Sequence, residues 1–508
     1  MLDLQPATFE EFVREGTRGN VVPVVRTVLA DLQTPVGAFM RVAHSSRYAF
    51  LLESVEGGER VARYSFLGAD PQMILRGRGQ RTIIESDGES ETHEIRLTEF
   101  LRRYFGARKL ARRTGLAPMA GGAVGYLAYD AARWFEPVLE KQFEKQFDKD
   151  EAAEDDAVFM LFRTVLAFDR VRQQIEITSV VLTEEADGNE QRLRELYEQA
   201  VAETERIERA LLASLPRPKR ARQAKNGKPP KVKFTSNWSL KGYEDAVRNI
   251  KERIAAGDCY QVVVSQRFDT EVTAQPIEIY RALRATNPSP YMYFLRLGDE
   301  SIVGASPEML VRCRGQRLDY RPLAGTRRRG ATETEDWMLG EEMLTDEKEV
   351  AEHTMLVDLG RNDLGRVADF GSVQVEDLMS VERYSHVQHL VTSLRARLRD
   401  DLDRFDALAS CFPAGTVTGA PKVKAMQIIK ELEPTSRGVY AGAVGYMDYA
   451  GNLDSCIAIR TIVLRKKIAS VQAGAGVVAD SVPEREYEET LNKARALIGA
   501  LELAEKGL

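Results

Sequence analysis

The chain reads as an α/β protein of the α+β kind, with mainly antiparallel sheets flanked by helices. Three observations lead there. Helical and strand-like stretches alternate irregularly, not in a repeating strand–helix cycle. Short turn signals separate neighbouring strand-like runs, as in hairpins. At 508 residues the chain is too long for one core and should divide into at least two domains.

The first unit covers residues 1–215. After an opening segment, Tyr48-Ala-Phe-Leu-Leu-Glu-Ser54 is a strand, with further strands at 63–68 and 81–84. A helix spans 97–105, and the small residues of Gly121-Gly-Ala-Val-Gly-Tyr126 let backbones approach closely. The apolar run 157–168 and the stretch 174–182 are strands, and a charged amphipathic helix over 190–213 closes the unit. Residues 216–234 follow as a boundary, with eight basic residues, several prolines and no acid. Such a run either touches RNA or lipid headgroups or is a solvated linker; without interleaved aromatics, in a chain of net charge −6, it reads as a linker.

The second unit, 235–508, opens with a helix over 239–256 and a strongly apolar strand over 259–268. A helix at 277–286 is broken by Asn287-Pro-Ser-Pro290, and strands follow at 291–297, 300–305 and 308–313. Beyond a helix at 346–365 come strands near 462–464 and 470–473, and a last helix from Pro483. One pentapeptide recurs: Gly122-Ala-Val-Gly-Tyr126 returns as Gly442-Ala-Val-Gly-Tyr446, which points to related strands of the two units pairing with each other.

Composition excludes several classes. The balance of 71 basic and 77 acidic side chains invites neither nucleic acid nor an anionic membrane. No apolar run approaches the roughly 18 residues of a spanning helix, and the first residues lack the basic and apolar parts of a secretory signal. The cysteines Cys259, Cys313, Cys411 and Cys456 show no paired spacing, as expected of reduced thiols in a cytoplasmic protein.

The helix over 346–365 carries the chemistry. Capped by Asp346, it sets Glu352, Met355, Leu356 and Leu359 on one stripe, with Glu349 one turn earlier. An inward carboxylate is costly unless protonated, paired or metal-bound, so Glu349 and Glu352 either pair with an arginine or belong to a metal site. The last helix repeats the spacing in Glu486 and Glu489, with Lys493 one turn on; alone, that face is an ordinary solvated surface. If the faces oppose each other, oxygen-only ligands point to Mg²⁺. A di-iron site would want Glu-x-x-His pairs, which are absent. Nearby are groups suited to an anion: the small-residue loop from Pro413 to Lys422 with Thr416, which is not a Walker A; the backbone of Ala473-Gly474-Ala-Gly476; and the fork of Arg460. His386 and His389 are candidate proton carriers.

On these residues the chain resembles the chorismate-utilising enzymes, and within them the large subunit (component I) of anthranilate synthase. The likeness runs from about Leu51 to Leu497 and is densest in Arg321-Pro-Leu-Ala-Gly-Thr326, 348–365, Glu382-Arg-Tyr-Ser-His-Val-Gln-His389, 413–422 and 473–493. It implies a large sandwich of two mainly antiparallel sheets flanked by helices, with a smaller N-terminal part alongside. It also implies the reaction: ammonia adds at C2 of chorismate as the 4-hydroxyl leaves, and pyruvate is eliminated to give anthranilate. By resemblance, Glu352 and Glu489 hold Mg²⁺, with Glu349 and Glu486 ordering its water. Glu308 assists the leaving hydroxyl, and His389 serves pyruvate elimination. Tyr440 and Arg460 hold the enolpyruvyl carboxylate, while Thr416, Gly325, Thr326, Gly474, Gly476 and Lys493 seat the substrate.

Two positions discriminate within the family. Isochorismate synthases resemble this chain but carry a lysine where Gln261 stands. Aminodeoxychorismate synthases typically carry one where Ala324 stands. Both positions select anthranilate synthesis; the alternatives are an aminodeoxychorismate synthase component, an aminator that stops at aminodeoxyisochorismate, or a non-enzymatic sensor. The resemblance further implies a feedback site for L-tryptophan formed by Glu53, Ser54, Pro290, Tyr291, Met292, Val444, Tyr446 and Cys456. No cysteine sits in an amidotransferase elbow, so glutamine use implies a separate amidotransferase subunit (component II), two copies of each chain assembling together.

Overall fold

A computed structural model describes residues 4–54, 63–140, 155–215, 232–384 and 387–507. Most of the basic linker, together with His386, lies outside them. Two large sheets dominate, of 13 and 12 strands among the described residues. Helices cover both outer faces, and a core drawn from both sheets, including Phe50, Phe162, Tyr293, Val444 and Cys456, fills the space between them. All four cysteines are buried and free.

Alternation along the strands sets the layers. In the strand Tyr48–Glu53, Phe50 packs between the sheets, whereas Ala49 and Leu51 face the helices Pro35–Val42 and Pro276–Thr286. The apolar run at 157–168 is two strands. Ala157–Phe162 belongs to one sheet and Thr164–Asp169 to the other, with Arg163 between them. Both strands are buried on both faces, so the sequence carries no alternation that would mark the break.

Each sheet runs continuously across both halves of the chain. In the first, Tyr48–Glu53 pairs antiparallel with Tyr291–Leu297. In the second, Gly122–Leu127 pairs antiparallel with Ala443–Asp448. The repeated pentapeptides therefore lie side by side: Gly125 faces Gly445, Tyr126 faces Val444 and Val124 faces Tyr446. The two glycines are needed for the same reason. A Cβ on Gly125 would sit 1.9 Å from the carbonyl oxygen of Val158, and one on Gly445 would sit 2.3 Å from that of Asp454.

Outward from these seams the halves repeat each other. Tyr64–Ala69, Thr164–Asp169, Gln174–Leu182 and Val21–Leu29 follow in the first half as Glu300–Ser306, Thr461–Arg465, Ile468–Val477 and Gln261–Glu271 follow in the second. The helices Glu190–Leu212 and Pro483–Lys506 close the two halves in the same way. The chain is thus one fold unit used twice.

Candidate active site

Two helices bring acidic faces to one cavity of about 740 Å³. The helix Glu347–Gly365 begins where the Asp346 carboxylate accepts hydrogen bonds from the amides of Lys348 (3.0 Å) and Glu349 (3.2 Å), satisfying donors that the first turn leaves free. Its buried side is His353, Leu356, Val357, Gly360 and Leu364, with His353 Nε2 2.6 Å from Thr392 Oγ1. Glu352 and Met355 are turned one step from that core and line the cavity, with Leu356 at the border of the two faces. Opposite, the helix Pro483–Lys506 buries Thr490, Ala494, Leu497 and Leu501 and presents Glu486, Glu489 and Lys493 to the same space. The face that reads alone as solvated surface is a wall of the cleft.

The carboxylates are not equivalent. Water reaches Glu352 from the cavity, yet the enclosing protein desolvates it and, with the charge of Glu349, raises its pKa. Burial likewise raises Glu486, against a hydrogen bond from Ser481 and aided by Glu489. Lys493 Nζ lies 2.6 Å from Glu489 Oε1 and donates to Gly474 O at 3.0 Å. Glu349 is held by an arginine, since Arg327 Nη1 donates to its Oε1 at 2.8 Å, and it is not part of the lining. Among the described residues no three carboxylates converge tightly enough to cage a metal ion.

The remaining walls come from strands and loops. Gly474 and Gly476 lie on the strand Ile468–Val477 because their neighbours leave no room for more. A Cβ on Gly474 would meet Tyr440 OH at 2.8 Å, and one on Gly476 would meet Gln261 Nε2 at 2.6 Å. Tyr440 is buried and its phenol is pushed up to about 12 by desolvation. Arg460 adopts φ 51°, a strained angle for a side-chain-bearing residue, and Nη1 donates to Lys493 O at 2.7 Å. Glu308 is 6% exposed, and burial pushes its carboxyl up to about 8. The Thr416 hydroxyl, buried without a well-formed hydrogen bond, stands near enough to draw that value part of the way back.

His389 Nδ1 lies 2.7 Å from Gly325 O and 3.2 Å from Thr326 Oγ1. A carbonyl only accepts, so Nδ1 carries the proton and Nε2 is left with its lone pair. Burial lowers the pKa of the ring, keeping it neutral at neutral pH. Gly325, at φ 60°, packs under Met343 and Glu349, where a side chain would not fit. The cavity therefore joins an uncharged acid, an unprotonated imidazole nitrogen, a half-buried arginine and opposed carboxylates.

Comparison with known proteins gives this arrangement its family. The description of the chorismate binding enzymes matches residues 47–499. Anthranilate synthase component 1 of Acetivibrio thermocellus is 47% identical over 489 residues, covering 96% of each chain. The chain belongs to the chorismate-binding enzymes, among the component 1 chains of anthranilate synthase. The solved structure of anthranilate synthase component I from Streptococcus pneumoniae TIGR4 superposes with a TM-score of 0.74 at 34% identity, over 93% of this chain and 99% of that one. The menaquinone-specific isochorismate synthase of Escherichia coli, at 20% identity and a TM-score of 0.67 over 97% and 98% of the two chains, shares the fold.

In this chorismate-binding enzyme the residues expected at a tryptophan site divide by sheet face. Tyr291, Val444, Tyr446 and Cys456 meet between the sheets, and the buried Ser54 hydroxyl has no hydrogen-bond partner. Tyr291 OH contacts Asp454 (3.3 Å) and accepts from Arg312 Nη2 (3.2 Å). Glu53 and Met292 sit opposite each other across the seam, but their side chains face the helix layer. The Glu53 carboxylate accepts from Tyr280 OH (2.6 Å) and Arg284 Nε (2.9 Å), and Met292 packs in the core on that side. Pro290 lines the cavity described above, with Asn287, Pro288 and Ser289.

Sequence reasoning missed several lining residues: Tyr384, Gln472 and Lys348. Tyr384 and Lys348 stand within the matched motifs, which was the available signal. Gln472 had none, since it reaches the cavity only through the pairing of Ile468–Val477 with Gln261–Glu271.

Proposed function

We propose that the chain makes anthranilate and pyruvate from chorismate and ammonia, the step that commits chorismate to L-tryptophan, in the cytoplasm. The observation that carries this reading is a neutral Glu308 and an unprotonated His389 Nε2 sharing one cavity with Glu352 and Glu489. As ammonia bonds to C2, the ring double bonds shift, the C4–O bond breaks and Glu308 supplies the proton with which the hydroxyl departs as water. His389 Nε2 then takes the C2 proton; the electron pair aromatises the ring, the C3–O bond breaks, and the enolpyruvyl group leaves to become pyruvate. Arg460 and Tyr440 hold the enolpyruvyl carboxylate. Gly325, Thr326, Thr416, Gly474, Gly476 and Lys493 fix the ring.

The donor set suits Mg²⁺: all oxygens, spread over two walls and open to water and substrate. Glu352 and Glu489 would hold the ion and Glu349 and Glu486 its water, provided Arg327 and Lys493 release their partners. Bound there, Mg²⁺ supplies charge compensation for the ring carboxylate. Buried Ala324 and Gln261 put no lysine at either position where other family members use one to attack C2 or to activate water.

Residues 1–215 act as a regulatory unit and 235–508 as the catalytic one. Tryptophan binds between the sheets at Ser54, Pro290, Tyr291, Val444, Tyr446 and Cys456, with Glu53 and Met292 contributing main chain, since their side chains are engaged elsewhere. Pro290 belongs to both that site and the cavity, which supports feedback through two arrangements of differing chorismate affinity. Ammonia comes from glutamine through a separate amidotransferase subunit.

The test is direct. Purified chain with chorismate, Mg²⁺ and ammonium should yield fluorescent anthranilate, and chelation should stop it; a non-fluorescent aminated product would overturn the reading. Ser54→Phe should abolish inhibition by tryptophan while leaving uninhibited turnover intact. Unchanged inhibition would remove the regulatory assignment.

A further inference from the structure

The hydrogen bond from Nδ1 to Gly325 O holds the His389 ring at that one nitrogen and leaves its other edge to be held by packing. The strands Gln374–Arg383 and Val387–Arg397 supply the second constraint. Their register puts Glu382 directly across from His389. Just beyond, Tyr384 donates its amide to Val387 O at 2.8 Å. Its ring then meets the His389 ring edge-on, with centroids 5.7 Å apart and planes at 60°. Both side chains line the cavity.

Tyr384 is itself held at its far end. Its hydroxyl donates to Glu382 Oε2 at 2.7 Å, and Arg321 grips the other oxygen of the same carboxylate. The Arg329 guanidinium donates to the Tyr384 carbonyl and forms a bidentate pair with Asp336 at 2.8 Å through each nitrogen. A tyrosine that served only to fill apolar space would not need both ends tied to ion pairs. The paired Arg321 also offsets the charge of Glu382, which would otherwise favour a protonated, inactive His389.

We infer that Tyr384 is a positioning residue for pyruvate elimination, holding the His389 imidazole in the plane from which Nε2 reaches the C2 proton. The inference rests on the role proposed for His389. It assigns Tyr384 no contact with the amination step, so loss of its ring should separate two reactions that normally run together. The intermediate between them, aminodeoxyisochorismate, should then leave the enzyme before it is aromatised.

The experiment follows both products from chorismate, Mg²⁺ and ammonium with the full chain. His389→Gln comes first and should release aminodeoxyisochorismate with little anthranilate; if it does not, the role of His389 itself falls. Given that result, Tyr384→Leu should slow elimination about tenfold, which is what an edge-on aromatic contact is worth, while chorismate KM and amination change less than about threefold. Tyr384→Phe keeps the ring and loses only the Glu382 anchor, so it should fold as the parent does and slow elimination about threefold. Chorismate consumption and anthranilate formation falling in parallel in both variants, with no intermediate released, would overturn the inference.

Discussion

The two halves of the molecule use the same succession of strands and helices, yet every residue lining the cavity comes from the second. Three local differences account for this. Between Arg81–Ser86 and Gly122–Leu127 the first half has a short strand and one helix. Between Arg317–Tyr320 and Ala443–Asp448 the second half inserts the helices Glu333–Thr345 and Glu347–Gly365, which bring Glu349 and Glu352. The strand Gln174–Leu182 packs Val180 and Leu182 into the core, whereas its counterpart Ile468–Val477 carries Gly474 and Gly476 on the corresponding face. Finally, one residue, Arg163, links the crossing strands in the first half, where the second has a three-residue link ending in the strained Arg460. The second half thus differs by an emptied strand and an added carboxylate helix, while the first keeps its side chains packed.

That contrast predicts opposite outcomes for cavity acids in the second half and a buried acid in the first. Glu352→Gln and Glu489→Gln should each lower turnover by about 10³-fold or more with the melting temperature unchanged. In the first half, Asp156 is buried and paired with Arg133 at 2.5 Å. Asp156→Ala should cost about 3–5 kcal/mol of stability and leave kcat of the folded enzyme intact. A silent Glu352→Gln, or loss of kcat in a well-folded Asp156→Ala, would break the division.

Glu308 sharpens the comparison on the catalytic side. Its substitution by Gln should reduce amination by about 10²–10⁴-fold. Because its carboxyl sits at about 8 in the folded chain against 4.5 ordinarily, the native state holds the proton more tightly. Its contribution to stability is complete at low pH and is lost as pH rises from the ordinary value through 8. Activity should fall over the upper part of the same range. Melting curves at pH 6 and pH 9 should show the parent losing more stability than Glu308→Gln; equal losses would place the proton elsewhere.

The smallest effect tests the repeat itself. Gly125→Ala and Gly445→Ala each drive a methyl into a carbonyl oxygen of the next strand and should cost about 3 kcal/mol alike. Strongly unequal losses in chemical unfolding would argue that the seam is not symmetric.

Much of this was legible from residue patterns. The strands Tyr291–Leu297 and Gln174–Leu182 and the start of the helix at Pro483 fall where turn residues and periodicity place them. The paired pentapeptides gave away the seam. The strand Val21–Leu29 did not stand out, because Pro23 breaks an otherwise apolar run. The strand Gln374–Arg383 has no buried residue, so no buried face marked it. At the site, spacing placed Glu352 and Glu489 on helices, but which face met the cavity depended on packing. The helix over 346–365 shows this best, since its core stripe runs through His353 and Val357, one step from the stripe of Glu352.

The seams also shape how the chain must be made. Tyr48–Glu53 and Gly122–Leu127 each pair on one edge within the first half, but the other edge is met only by Tyr291–Leu297 and Ala443–Asp448. At ribosomal rates of roughly 5–20 residues per second, the first half waits on the order of ten seconds or more with two naked strand edges. Such edges template unwanted pairing with other chains. Nascent copies on one polysome would therefore be each other's main hazard, and fragments ending near the linker should be insoluble without a chaperone.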